Sequence, residues 1–296
     1  MLLQNRVALI TGAGRGVGRE IALCFAAEGA AVVVNDVGAD LGGTGADRAP
    51  ADEVVDEIRA MGGRAVAVYD SVADFAAAGR ITDAACDAFG RVDILVNNAG
   101  ILRDRTLVRM SEEEFDTVIT VHLKGTFNMA RHVAPRMREQ GYGRIVNMTS
   151  SSGLQGNFGQ TNYSAAKGGI MGMTFTWALE LGGSGITVNA FAPVAATRMS
   201  LPLYERAGVE PPDYAHPRHN GPFVAYLASE HAGHVNGQVF TRFEYGYMIY
   251  NGPEWRAAMF NDGDWTPQQV ADRFDATLGR FVQPIGIRPA STWKTS

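Results

Sequence analysis

The feature that most narrows the fold is an alternation. Short aliphatic, β-branched-rich runs, namely Val7-Ala8-Leu9-Ile10, Ala31-Val32-Val33-Val34, Ala65-Val66-Ala67-Val68, Ile94-Leu95-Val96, Ile145-Val146 and Ile186-Thr187-Val188, are separated by longer stretches of helical pattern. The runs are continuously apolar rather than alternating, which suits strands covered on both faces. Strands of that kind joined by helices predict an α/β, doubly wound, mainly parallel sheet of about seven strands with helices on both faces. One such domain accommodates all 296 residues, with residues 246–296 expected as a C-terminal extension packed on it.

Several element ends are readable. Ser111-Glu112-Glu113-Glu114 has the form of a capping box and predicts a helix running to about Glu139. Thr161 or Asn162 is placed to cap a helix carrying Tyr163. Thr266, Pro267 and Gly279 predict the cap, first turn and stop of a short helix in the tail. Two segments depart from this regularity. One is a glycine-rich loop over residues 38–50; the other, residues 193–222, carries six prolines and predicts a long irregular segment suited to a lid or binding loop. The tail aromatics Tyr247, Tyr250, Trp255, Phe260 and Trp265 predict packing or subunit contact, with a direct part in substrate binding as the alternative.

Charge and composition remove whole classes of function. A net charge of −5 provides no basic field for nucleic acid or an anionic membrane, which leaves a small molecule as the expected partner. The two cysteines, Cys24 and Cys86, fall in alanine-rich helical stretches, and a reducing, cytoplasmic location is expected. No apolar run approaches the roughly 20 residues of a membrane span, no cleavable signal precedes the first strand, and the final Trp293-Lys294-Thr295-Ser296 is not a peroxisomal S-K-L address. The H-x-x-H pairs His216/His219 and His231/His234 lack a cysteine or carboxylate partner pattern, so no metal is expected.

Thr11-Gly12-Ala13-Gly14-Arg15-Gly16-Val17-Gly18 follows the first strand directly and opens a helix, the context in which glycines let a backbone approach a pyrophosphate. Asp36 closes the second strand about 20 residues on, where a carboxylate accepts from both adenosine ribose hydroxyls and repels a 2′-phosphate. NAD is therefore expected over NADP, although Arg15 could pair a 2′-phosphate if it turned the right way. Asp70, after the third strand, is placed to accept from an adenine amino group. Asn97-Asn98-Ala99-Gly100 ends the fourth strand at the same edge of the sheet, where ligands of open α/β sheets bind. Ordinary turn chemistry would also use those residues.

Tyr163 and Lys167 lie four residues apart, so on a helix they share a face. A fixed ammonium beside a phenol favours the phenolate. The spacing alone is common on solvated helices and draws meaning only from its surroundings.

Taken in order, the glycine motif, the N-N-A-G run, an upstream serine and the Y-x-x-x-K pair resemble the short-chain dehydrogenase/reductase family over about residues 4–243. The resemblance implies a Rossmann sheet and a serine thirteen positions before the tyrosine, here Ser150. The words Val34-Asn35-Asp36, Tyr69-Asp70-Ser71-Val72, Asn98-Ala99-Gly100-Ile101-Leu102-Arg103-Asp104-Arg105 and Gly156-Asn157-Phe158-Gly159-Gln160 resemble more closely the (3R)-hydroxyacyl-CoA dehydrogenase domain of the peroxisomal multifunctional enzyme type 2 and its bacterial relatives, a branch that uses NAD.

What this resemblance implies is a hydride exchanged between a secondary alcohol and nicotinamide. Tyr163 would be the general acid/base, Lys167 would lower its pKa and hold the nicotinamide ribose, and Ser150 would bind the substrate oxygen. Gly12, Gly14, Arg15, Gly16, Val17, Gly18, Asp36, Asp70, Ser71, Asn98, Ala99, Gly100, Pro193 and Thr197 would surround the dinucleotide together with Tyr163 and Lys167.

Two positions depart from the wider family. His122 stands where many members carry asparagine, making it a proton-relay candidate beside the alternative of core packing. Pro193-Val194 replaces Pro-Gly, with Thr197 four rather than five positions beyond the proline.

Phe158, Met199, Leu201 and Leu203 would line an apolar pocket if the proline-rich segment covers the cleft, and Arg103, Arg105, Arg198 or Arg218 could meet CoA phosphates. The leading substrate is a (3R)-3-hydroxyacyl-CoA, with a 17β-type hydroxysteroid as the close alternative. A catalytically silent dinucleotide sensor is the alternative of another class. The family's habits imply a homodimer or homotetramer.

Overall fold

A computed structural model describes residues 1–250, 252, 256–282 and 285. Strands β1 (Val7–Thr11), β2 (Ala31–Asn35), β3 (Arg64–Val68), β4 (Ile94–Asn97), β5 (Gly143–Met148) and β6 (Ile186–Ala192) stand where the apolar runs predict them. Two more, β7 (Val239–Phe243) and β8 (Gly246–Tyr250), bring the sheet to eight, in the order β3-β2-β1-β4-β5-β6-β7-β8. All pairings are parallel except β7 with β8. The chain turns back between β1 and β4, which opens a crevice at the strands' carboxyl ends.

Side chains alternate across the pleat, and the core divides accordingly. Ala8, Ile10, Val32, Val34, Ile94 and Val96 face helices α1 (Gly16–Ala27), α2 (Ala49–Ala60) and α9 (Gly221–Ala228), around the fully buried Phe25. Leu9, Val33 and Leu95 point the other way, against α3 (Phe75–Phe89), α5 (Gly125–Gln140) and α7 (Thr161–Gly182). A strand buried on both faces has no polar face to show, which is why these runs lack alternation.

Some predicted ends change. Ser111 and Glu114 do form the reciprocal capping box that opens α4 (Glu112–Ile119). The helix then passes through one π turn, Thr120–Lys124, before continuing as α5 to Gln140. Neither Thr161 nor Asn162 caps α7, whose N-cap is Gln160 without a side-chain bond. The buried Asn162 instead ties the helix sideways, donating to the carbonyls of Arg103 and Glu114 at 2.9 and 3.0 Å. The proline-rich segment is more ordered than expected, holding α8 (Leu201–Ala207) and two single turns.

The expected extension begins inside the sheet, because β8 is its antiparallel edge strand. Tyr247 stacks on Phe223, centroids 4.5 Å apart, and its hydroxyl donates to the His219 carbonyl. Trp265 lies under the Arg273 guanidinium and Phe260 is exposed. Trp255 lies outside the described residues. Helix α10 (Pro267–Phe274) starts from a Thr266–Gln269 capping box but stops five residues before Gly279. Among the described residues, no helix is long and apolar enough to cross a membrane.

Candidate active site

The carboxyl ends of β1, β2, β4 and β5 open into one cleft of about 450 Å³. At one end the glycine loop and Asp36 line it; at the other stand His122, Tyr163 and Lys167.

The loop's shape depends on glycine at close quarters. Gly12 has φ +63, and a Cβ there would fall 2.7 Å from Ala99 Cα. A Cβ on Gly18 would lie 2.2 Å from the Gly12 carbonyl oxygen. Asn98 braces the same turn, donating through Nδ2 to the carbonyls of Thr11 and Gly12 at 3.0 Å each. Arg15 is the N-cap of α1 and supplies no side-chain cap, so the first-turn amides face the cleft without a capping partner. That backbone cradle, which side chains would fill, fits a dinucleotide pyrophosphate.

Asp36 follows the last residue of β2. Its Oδ2 accepts from Gly14 N at 2.8 Å and Oδ1 from Gly38 N at 2.7 Å, fixing the carboxylate on the cleft wall. Ser71, Ala99, Gly100, Pro193 and Thr197 also line the cleft. Gly14 and Gly18 shape it from behind. Asp70 reaches the rim with its Oδ1 held by Arg80 through Nε and Nη2.

At the reacting end, Ser150 caps the short helix α6 (Ser151–Gln155), its Oγ accepting from Ser152 N at 3.1 Å. It favours the Tyr163 phenolate from nearby but does not itself line the cleft. Lys167, one turn beyond Tyr163 on α7, is buried, donates to the Met148 carbonyl oxygen at 2.6 Å and stands 5.5 Å above the Tyr163 ring centroid. Thr149 Oγ1 fastens the same turn by donating to the Lys167 carbonyl.

Burial governs the ionisation of all three titratable groups. It lowers Lys167 to about 7. It lowers His122 to about 3, with the Lys167 charge adding to the effect. It raises Tyr163 to about 12, with Ser150 pulling the other way and the Asp104 carboxylate pushing up. Within the protein alone, desolvation of the phenolate is the largest influence on Tyr163, and burial likewise draws Lys167 toward its neutral form.

His122 sits in the π turn, its ring edge-on to Tyr163 with centroids 5.2 Å apart. Its Nε2 lies 2.9 Å from Ile101 N and 2.8 Å from Ile101 O, while the buried Nδ1 has no partner among the described residues. Such an orphaned nitrogen on a cleft wall is unusual for a residue that merely fills the core.

Sequence reasoning missed two contributors, Gly153 and Asp104, and a second role for Gly100. Gly100 makes room for His122, since a Cβ there would meet His122 Cε1 at 2.3 Å. Gly153 lets α6 approach α7, its Cβ position falling 2.7 Å from the Lys167 carbonyl carbon. Asp104 acts on Tyr163 while held by Gln160 Nε2 at 2.8 Å. Only the glycines carry a sequence signal, and a glycine does not say which neighbour needs the space.

The apolar pocket is only partly as expected. Met199 lines the cleft, but Leu201 lines a separate groove and Phe158 is 90% exposed and outside both; the Leu203 side chain lies outside the described residues. Arg103, Arg105 and Arg218 are paired with Glu113, Glu114 and Asp213. His216 and His219 serve local hydrogen bonds, and no metal-ligand cluster occurs among the described residues.

A family model described as short chain dehydrogenase matches residues 6–206. The chain is 50% identical over 229 residues to a Drosophila melanogaster peroxisomal multifunctional enzyme type 2, covering 76% of this chain and 37% of that protein. It is 40% identical over 287 residues to a Mycobacterium tuberculosis hydroxyacyl-CoA dehydrogenase, covering 90% of this chain and 87% of the relative. The crystal structure of a short chain dehydrogenase from Mycobacterium avium superposes with a TM-score of 0.86 at 41% identity, over 98% of this chain and all of that one.

Proposed function

The chain belongs to the short-chain dehydrogenase family, and from that premise we propose that it is an NAD-dependent (3R)-3-hydroxyacyl-CoA dehydrogenase. The observation that carries the reading is that one cleft is lined at one end by the Asp36 carboxylate and at the other by Tyr163 and the buried Lys167, with Ser150 beside the tyrosine. Bound there, the dinucleotide supplies the hydride acceptor for alcohol oxidation and the donor for ketone reduction. The glycine loop and Asp36 would hold its adenosine half, and Lys167 would hold the nicotinamide ribose.

Tyr163 exchanges the proton with the substrate oxygen. Burial keeps it in the phenol form, ready to donate to a ketone. Ser150, near the same side chain, would fix the substrate oxygen beside it. Lys167, with its pKa near 7, gains or loses a proton readily at neutral pH and is the next group inward. His122, neutral over the whole physiological range, lies against both and offers the unpaired Nδ1 as a relay point. Its Nε2 can donate to Ile101 O or accept from Ile101 N, so the ring can serve in either tautomer.

The 3-hydroxyacyl-CoA assignment is supported by the name of the M. tuberculosis relative that aligns along most of both chains. The test is NADH formation at 340 nm with NAD and a panel of (3R)- and (3S)-hydroxyacyl-CoA thioesters and 17β-hydroxysteroids. Turnover of the (3R)-thioesters is expected. Turnover of the steroids alone would replace the substrate, and NADH binding without turnover of any alcohol would replace the enzyme by a sensor.

A further inference from the structure

The glycine-rich insertion after β2 returns to the cofactor end of the cleft and brings a second carboxylate with it. Asp47 Oδ2 lies 3.6 Å from Arg15 Nη2, and Asp47 Oδ1 accepts from Ala49 N at 3.0 Å. The backbone fixes where this carboxylate stands. Asp47 N donates to the Val37 carbonyl at 3.1 Å, and Gly38, at φ +70, approaches so closely that its Cβ would lie 1.8 Å from Asp47 O. The two ends of the insertion are thus clamped together, one beside Asp36 and the other opposite Arg15. Between them, Ala39, Leu41 and Gly43 line the cleft.

Arg15 is the cation that the glycine loop itself offers to a ribose 2′-phosphate, and Asp36 alone does not remove it. Resting on the dinucleotide reading above, we propose that Asp47 is a second determinant of cofactor choice: by holding Arg15 it withdraws that guanidinium from a 2′-phosphate, so NAD is selected by two carboxylates rather than one. The neighbouring cation, Arg48, is engaged elsewhere, stacked over the Tyr69 ring at 4.8 Å. An arginine paired with a fixed carboxylate must exchange that partner to bind phosphate, whereas a free one binds at no such cost.

The test is titration of NADH and NADPH by the fluorescence of the bound nicotinamide, which needs no substrate. Asp47→Asn keeps the acceptor for Ala49 N and removes the charge. It is expected to tighten NADPH about 2- to 5-fold relative to NADH, the size of one exposed ion pair released. The gain should recur in the Asp36→Asn background, which keeps one acceptor for the Gly14 and Gly38 amides, and vanish when Arg15→Gln is added. Equal changes for the two cofactors, no change, or a gain that survives Arg15→Gln would overturn the inference while leaving the dinucleotide site intact. Binding of neither cofactor to the native protein would overturn the dinucleotide reading and the inference with it.

Discussion

Lys167 donates its ammonium to a backbone carbonyl, that of Met148 at the end of β5, 2.6 Å away, and is 4% exposed although it lines the cleft. A buried lysine in that position is costly. Its pKa falls from 10.5 to about 7, so between those values the unfolded chain binds the extra proton, and stability is lost as pH drops toward 7. Below about pH 7 the full penalty applies, about 5 kcal/mol.

Lys167→Met should therefore stabilise the protein at pH 6.5. Leaving the Met148 carbonyl unpaired returns about 1–3 kcal/mol, so a net gain of a few degrees in Tm is expected. Near pH 10 the gain should disappear or reverse. Calorimetry at the two pH values checks it, and equal Tm differences would refute the account. Turnover should meanwhile fall at least about 100-fold, marking a group kept for chemistry at the expense of stability.

Tyr163→Phe keeps the ring against His122 and removes only the hydroxyl. A loss of about 10²- to 10⁴-fold in kcat is expected, the range for a general acid or base. NADH affinity, measured by fluorescence titration, should be unchanged. Near-normal turnover would remove Tyr163 from the proton path.

Gly100 and His122 form a complementary pair. Gly100→Ala places a methyl 2.3 Å from the His122 ring, which must leave the cleft wall, so both Tm and kcat should fall. His122→Ala should lower kcat with a small effect on NADH binding. The double variant frees the space again and should recover the Tm lost by Gly100→Ala without recovering kcat. Thermal melts and steady-state rates on the three variants decide it; recovery of both, or of neither, would contradict the steric coupling or the relay role.

The strands, the glycine loop and the Ser111 capping box were legible in the sequence because each is a local pattern with one physical meaning. β8 was not, since Tyr247-Met248-Ile249-Tyr250 is a short apolar run lying mostly exposed at the sheet edge, and such a run after the last regular repeat reads as tail packing as readily as strand. The π turn at His122 has no local signature either. Its ring meets the space at Gly100, 22 residues earlier in the chain, which only the tertiary structure brings together. The upward pull of burial on the Tyr163 pKa is not legible for the same reason: a neighbour at i+4 can be read from spacing, but desolvation is a property of everything packed around the phenol.

Asp104 provides the sharpest test of that last point. Its carboxylate disfavours the Tyr163 phenolate, and its own pKa is raised by burial against the opposing Gln160 hydrogen bond. Asp104→Asn removes the charge yet still accepts from Gln160 Nε2, so the local network can persist. With the charge gone, the phenolate becomes easier to form and the Tyr163 pKa moves down. Alcohol oxidation needs the deprotonated tyrosine, so its rising limb in kcat/KM against pH should shift to lower pH. Ketone reduction needs the proton, so its falling limb should shift the same way. A residue that merely holds the loop in place would change the plateau rate and leave both limbs where they were. Full pH profiles of the native and Asp104→Asn proteins in both directions separate the two outcomes, and unmoved limbs would show that Asp104 does not set the tyrosine's ionisation.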